Sequence, residues 1–377
     1  MKRFEKPILV TRPYLPPIED FKRGCEEIWD NKWLTNNGPM LQKFQKALSE
    51  YLGVPETNLA LFNNGTLALE LGYYAMGLAG GDVITTPFTF VATSHALKRI
   101  GANPIFADID SETLCLDPAT AEKLITPRTK AIVPVHVYGN VCDVDGFERL
   151  REKYGVRIIY DAAHAFGVKN FNRAGQVEKA EKKLYEYGDM SMFSFHPTKL
   201  FHSCEGGLLV FKDATIQEKL YELRNFAIQS ETECVDVGSN AKMNELQALM
   251  GLECLRKLPD LLEYRQKIYA AYSDAFSGCS DVKLVHYSAN KAYVPILFKD
   301  FATRERVYAE LQGKCNVFSR RYFYPLLTDF APYVYGRGCC PVAEDVACRV
   351  LTLPTYYGLP LNDVRDIAKC VLEIVSP

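Results

Sequence analysis

A strict alternation of local patterns between residues 59 and 210 constrains this chain more than any other feature. Short β-rich runs at 59–62, 82–85, 103–107, 131–135, 157–160, 190–194 and 208–211 are separated by helix-like stretches, among them 66–76, 94–100 and 144–154. Strands and helices in turn predict an α/β fold, with a mostly parallel sheet covered by helices on both faces. Sheets of this kind bind ligands outside the carboxyl ends of their strands. Those ends are therefore where chemistry is expected.

On either side of this region the texture differs. Residues 18–52 read as two helices broken by the turn-rich Leu34-Thr35-Asn36-Asn37-Gly38-Pro39. Residues 244–276 carry one long helical period that could connect two domains. Strand-like 282–285 and 292–298 follow, then a helix at 302–312, a strand at 316–318, and helices at 343–350 and 362–374. This predicts a large α/β domain over residues 1–250 and a smaller C-terminal α+β domain over 251–377.

The bulk numbers exclude several classes of partner. A formal charge of -2 over 377 residues gives no general attraction to nucleic acid or to an anionic membrane. No run of about 18 apolar residues occurs, so no membrane span is expected. Basic Lys2 and Arg3 have no apolar stretch behind them, so the expected location is cytoplasmic rather than secreted. Twelve cysteines are scattered with no CxxC pair. They read as reduced thiols, and no metal site is expected.

Chemistry-bearing residues fall just after the predicted strands. Ser194-Phe195-His196-Pro197-Thr198-Lys199 places a lysine among apolar neighbours. Such surroundings favour the neutral, reactive amine over an ordinary surface charge. Asp161 ends the apolar run 156–160, where it could serve a ligand or cap the next helix. An amine plus an acid able to face a ring nitrogen is what pyridoxal phosphate (PLP) chemistry needs. Gly65 and Thr66 lie between a strand and a helix, as in an anion cradle or a plain helix cap. Ser194 could add a hydroxyl to a phosphate. Phe88, at a strand exit, could stack on a flat ring or fill the core. His164 could donate to a ring oxygen or simply occupy a helical turn.

Taken together, these segments resemble the DegT/DnrJ/StrS-type sugar aminotransferases, PLP enzymes of the aspartate-aminotransferase fold. The resemblance runs over nearly the whole chain. It is carried by Asn64-Gly65-Thr66, Pro87-Phe88-Thr89-Phe90-Val91-Ala92-Thr93, Val135-His136-Val137-Tyr138-Gly139, Asp161-Ala162-Ala163-His164-Ala165, the Lys199 segment, Glu205-Gly206-Gly207 and Gly238-Ser239-Asn240-Ala241-Lys242-Met243-Asn244-Glu245. It implies that Lys199 is the Schiff-base lysine and that Asp161 pairs with the pyridinium nitrogen. His164 would sit near the ring oxygen and Phe88 on the ring face. Gly65, Thr66 and Ser194 would hold the phosphate. Asn240 would reach the phosphate in a neighbouring subunit, which implies a homodimer with shared sites.

The same resemblance bears on the substrate. Trp33-Leu34-Thr35-Asn36-Asn37-Gly38-Pro39 is similar to enzymes that aminate dTDP-4-keto-6-deoxyglucose at C4, with glutamate as amino donor. Candidate nucleotide contacts are Tyr14, Trp33 and the cluster Arg320, Arg321, Tyr322, Phe323 and Tyr324. Lys242 stands where many relatives carry arginine. Two departures are Pro197, where alanine is common, and a long segment at 170–187 with a short helix expected from Glu178 to its end. Alternatives are a 3-keto or GDP- or UDP-linked sugar as substrate, a non-catalytic PLP-binding regulator, or a glycan-binding module without cofactor. A sugar 3-dehydratase of the same fold would carry histidine in place of Lys199.

Overall fold

The chain forms a seven-stranded sheet between two helical layers, as the alternation requires. The computed structural model describes residues 1–168, 183–285 and 288–376. It begins with a two-residue strand β1 (Ile8–Leu9) and helices α1 (Ile18–Asn31) and α2 (Pro39–Leu52). Then follow β2 (Leu59–Phe62), α3 (Gly65–Ala75), β3 (Asp82–Thr85), α4 (Ala92–Arg99), β4 (Asn103–Phe106), α5 (Pro118–Glu122) and β5 (Thr129–Ile132). The α/β region closes with α6 (Val144–Tyr154), β6 (Arg157–Asp161), β7 (Met190–Ser194), β8 (Gly207–Phe211) and α7 (Ile216–Leu223).

The sheet order is β2-β8-β7-β6-β5-β3-β4. Only β8 runs against its neighbours. Side chains alternate across the sheet, so one strand feeds two cores. Ala60 and Phe62 pack with Leu69 and Tyr73 of α3 and Leu97 of α4. Leu59 and Leu61 pack with Phe44 of α2, Phe147 of α6 and the helix described next. Burial on both faces explains why the strands read as continuous apolar runs.

The remaining elements are a hairpin of β9 (Ile228–Ser230) and β10 (Glu233–Cys234), then the 32-residue helix α8 (Glu245–Phe276). After it come β11 (Val282–Leu284), β12 (Val294–Phe298), α9 (Phe301–Glu310), β13 (Val317–Phe318), α10 (Pro341–Arg349), β14 (Val350–Leu353) and α11 (Leu361–Val375). Helix α8 is about 48 Å long and joins the two parts. Ala248, Leu249 and Cys254 near its start belong to the sheet core. Ile268, Tyr272 and Phe276 near its end belong to a second core with β11, β12, β14 and α11. Among the described residues no helix is long and apolar enough to cross a membrane.

Several boundaries differ from expectation. The first residues join the C-terminal part, because β1 pairs in parallel with β13 and Phe4 and Ile8 sit in the second core. The helix expected at 343–350 stops at Arg349, since Val350–Leu353 pairs with β12. No turn residue separates helix from strand there, which hides the switch. The short helices α5 and α7 were not foreseen. Most of the long segment expected at 170–187 lies outside the described residues, and its described end is a single 3₁₀ turn at Leu184–Glu186.

One buried acid ties α2 to α8. The carboxylate of Glu245 is almost fully buried and accepts from Met40 N at 2.7 Å and Leu41 N at 3.0 Å. These are orphan donors at the start of α2, where negative charge is favoured. Gly38 makes the approach possible, since a Cβ there would lie 2.5–2.8 Å from the carboxyl group. We predict that Glu245→Ala destabilises the fold by about 3 kcal/mol, because two charge-assisted hydrogen bonds are lost. The shift in denaturation midpoint measures it.

His136 supplies a pH dependence. It is fully buried, stacks on Tyr160 with ring centroids 4.7 Å apart, and accepts from Cys142 N at 3.1 Å. Burial pushes its pKa down to about 3. Unfolding exposes an imidazole that titrates near 6.5, so the unfolded state binds the extra proton between those values. Stability is therefore lost as pH falls from about 6.5, by up to about 1.4 kcal/mol per unit for this group. His136→Asn, which still offers an acceptor to Cys142, should flatten the dependence of the unfolding midpoint on pH in that window.

Candidate active site

A cavity of about 240 Å³ opens at the carboxyl edge of the sheet. Its walls come from the turns after β2 and β3, the ends of β6 and β7, the 196–205 loop, and residues 320 and 322 of the C-terminal part. The antiparallel β8 starts at this same edge. Gly207 lets it pass close to the β2–α3 turn, since a Cβ there would lie 2.5–2.9 Å from the backbone of Asn64 and Gly65. The topology thus gathers Asn64, Gly65, Asp161, His164, Ser194 and Lys199 around one space.

Asp161 ends β6 and is buried. Its Oδ2 accepts from Thr93 Oγ1 at 2.8 Å, and its Oδ1 accepts from Ala163 N at 3.1 Å. Thr93 lies 2.9 Å, hydroxyl to hydroxyl, from Thr89. Burial raises the carboxyl pKa, while the Thr93 and Ala163 hydrogen bonds and the charge of Lys199 oppose that rise. A carboxylate so placed is stabilised by a cationic N–H brought into the cavity.

Lys199 follows β7 in a turn closed by its own N–H donating to His196 O at 2.9 Å. Burial lowers its pKa, Arg320 lowers it further, and Tyr322 and Asp161 oppose the shift. The effect is to favour the free amine. His164 accepts from Tyr138 N at 3.0 Å through Nδ1, which leaves the proton on Nε2. Burial, and then the charge of Lys199, hold its pKa well below the usual histidine range. The neutral ring is therefore a hydrogen-bond donor through Nε2. Tyr138 adopts a left-handed conformation, φ 59°, to present its N–H to this ring.

The anion cradle is the start of α3. The side chain of Asn64 caps the helix by accepting from Leu67 N at 2.8 Å. Gly65 and Thr66 line the cavity, and first-turn N–H groups such as theirs have no intrahelical acceptor. An added Cβ at Gly65 would lie 3.1 Å from Ser194 Cβ and 3.3 Å from its Oγ, so the missing side chain brings the Ser194 hydroxyl close to the helix start. An acid, an amine, a neutral imidazole donor and a helix N-terminus around one cavity fit the donor set that a phosphorylated pyridine aldehyde requires.

Other expected residues lie elsewhere. Phe88 is fully buried and packs edge-on against Tyr138 and Phe323, with centroids 6.1 and 5.6 Å away. It does not line the cavity. Phe90, 54% exposed, does. The chain bends where Phe88 N donates to Thr86 Oγ1, so strand alternation does not carry through. Trp33 is half exposed and bonds to Thr35 O, away from the cavity. Arg321 turns outward to Glu305 at 2.6 Å and over Tyr308. Arg320 and Tyr322, members of the same expected cluster, do line the cavity, because this extended segment alternates its side chains. Tyr324 packs on Phe301 and Arg304, also outside. Lys242 donates to Asn225 Oδ1 at 2.7 Å, and exposed Asn240 lies outside its own chain's cavity.

Sequence reasoning missed Phe90, Thr93, His196 and Glu205 as participants. His196 Nε2 is 3.5 Å from Glu205 Oε1, and both line the cavity. Phe90 and Thr93 belong to the Pro87–Thr93 run, His196 to the Ser194–Lys199 run, and Glu205 precedes the glycine pair. Spacing alone had no means of telling which side chains of those runs point inward.

Comparisons with known proteins agree with this arrangement. The profile of the DegT/DnrJ/EryC1/StrS aminotransferase family matches residues 18–372. The chain is 42% identical over 378 aligned residues to dTDP-4-amino-4,6-dideoxy-D-glucose transaminase from Shigella dysenteriae, covering 98% of this chain and 100% of that protein. It superposes with TM-score 0.89 and 33% identity on the crystal structure of DesI in the presence of its TDP-sugar product, covering 100% of this chain and 95% of that one. NtdA from Bacillus subtilis, solved with bound cofactor PMP, matches with TM-score 0.81 and 26% identity over 96% of this chain and 82% of that one.

The two phenylalanines are separable. Phe88→Ala should cost about 3–5 kcal/mol of stability, as for a truncated core aromatic. Phe90→Ala should leave stability within about 1 kcal/mol but accelerate loss of PLP during dialysis. Melting curves and the cofactor's absorbance distinguish them.

Proposed function

Because the chain belongs to the DegT/DnrJ/EryC1/StrS aminotransferase family, we propose that it aminates C4 of dTDP-4-dehydro-6-deoxyglucose. Glutamate is the amino donor, and the product, dTDP-4-amino-4,6-dideoxyglucose, serves surface-polysaccharide (O-antigen) synthesis in the cytoplasm. The protein is a PLP-dependent aminotransferase of the fold-type-I α/β architecture. The observation that carries the reading is the cavity in which Lys199 and the buried Asp161 share walls with the start of α3.

When bound, PLP supplies an aldehyde to take up the amino group and a ring that delocalises the electrons of a broken C–H bond. Asp161, held by Thr93 and Ala163, would keep a proton on the ring nitrogen. His164 would donate from Nε2 to the ring oxygen. Gly65, Thr66 and Ser194 would hold the phosphate, and Phe90 would cover the ring. Lys199 Nζ, free once the donor amine has taken its place, removes the proton from the donor's α-carbon as general base. The keto sugar enters after 2-oxoglutarate has left, and the same lysine returns a proton to C4. Asn240, exposed and away from its own chain's cavity, supports a homodimer in which it reaches the partner's phosphate.

Three measurements bear on this reading. Glutamate added to the yellow, PLP-loaded protein should bleach its long-wavelength absorbance, and borohydride reduction beforehand should leave the label on Lys199 in peptide maps. Persistent absorbance, or label on another lysine, would contradict the assignment. Asp161→Asn should retain the cofactor yet lower turnover about a hundredfold or more. A panel of dTDP-, GDP- and UDP-linked 3- and 4-keto sugars, with products read by mass and NMR, identifies the acceptor.

A further inference from the structure

We propose that Arg320 is the carboxylate anchor for the amino donor, a role that rests on the transaminase reading above. Arg320 lines the same cavity as Lys199 but comes from the C-terminal part of the chain. Its backbone is fixed against β14. Arg320 N donates to Thr352 O at 3.1 Å, and Thr352 N and Oγ1 both donate to Arg320 O, at 2.8 and 3.0 Å. The guanidinium is therefore presented from a rigid seam rather than a loose loop.

Its hydrogen-bonding capacity is mostly unspent. A guanidinium has five N–H donors. Nη1 donates to Tyr322 Oη at 3.0 Å. Among the described residues no carboxylate forms an ion pair with Arg320, whereas Arg321 beside it is held by Glu305 at 2.6 Å. A cation facing a cavity without an acid partner fits an anionic ligand group, and the planar fork of arginine suits a carboxylate bidentately.

The reaction brings two kinds of anion, and position chooses between them. The charge of Arg320 is felt at both Lys199 and His196, whose pKa values it lowers. It therefore lies within electrostatic reach of the reacting amine. The α-carboxylate of an amino acid is bonded to the carbon whose amine reacts. The diphosphate of a sugar nucleotide is separated from C4 by the width of a hexose ring. The first matches a cation beside Lys199. A bound carboxylate also offsets the charge that depresses Lys199, which favours proton uptake by the lysine at the moment it must act as base.

The test uses the PLP-loaded full chain with Arg320→Gln and Arg320→Lys. Maleate, an unreactive dicarboxylate, is titrated by its effect on the bound cofactor's absorbance, and dTDP by calorimetry. Arg320→Gln should weaken maleate binding about 10- to 100-fold. It should raise the glutamate concentration for half-conversion by a similar factor and leave dTDP affinity within about twofold. Arg320→Lys, which keeps the charge but not the fork, should recover part of the loss. Unchanged maleate affinity in Arg320→Gln at wild-type cofactor content would overturn the proposal. A loss confined to dTDP, or shared equally by both ligands, would also overturn it. Failure of the transaminase reading shows separately, as an unmodified enzyme whose absorbance does not respond to glutamate at all.

Discussion

The site depends on a carboxylate held out of water at the end of a parallel strand. Asp161 is buried, satisfied by one hydroxyl and one backbone N–H, and without a cationic partner in hydrogen-bond contact among the described residues. Burying such a charge is unfavourable unless it is paired. A protonated ring nitrogen placed against it would supply the missing pair, and binding such a ring and ionising Asp161 would then favour one another. Thr89 and Thr93 fix the carboxylate's orientation before the ring arrives. The electrostatics of the cavity therefore suit a cationic ring.

The sheet makes this arrangement inexpensive to position. Parallel strands deliver their carboxyl ends to one edge, and the single reversed strand β8 adds the Glu205-Gly206-Gly207 turn at that edge. Helix α8 then carries the chain from the sheet core into the second core, and Glu245 at its start anchors α2. The second part returns through β14 to set residues 320–322 against the cavity. One part contributes Asp161, Lys199 and the start of α3, and the other brings Arg320 and Tyr322 to the same cavity.

Much of this was legible in the sequence. The alternation gave strand order of appearance and fold class, because burial on both faces writes long apolar runs into every parallel strand. That Lys199, Asp161, His164, Gly65, Thr66 and Ser194 share one cavity was legible because each stands at the end of a strand or a few residues past it, where topology leaves little freedom. Phe88 was misjudged for the opposite reason. It lies in a bend, where neither the period of a strand nor that of a helix says which way a ring points. Arg320 and Arg321 read alike in the sequence; in an extended segment the two point to opposite sides, and which side faces the cavity depends on pairing with Thr352.

By itself, then, the sequence determined the α/β class, the cofactor chemistry and the residues at strand ends, since those follow from local pattern and from the type of side chain each task needs. Only the tertiary structure decided that Phe90 rather than Phe88 lines the cavity, that Thr93 orients Asp161, and that the N-terminal strand belongs with the C-terminal core. It also decided that Arg320 meets Lys199 from across the chain. Each of these is a contact between segments far apart in sequence, and its geometry is set by packing that no local pattern encodes.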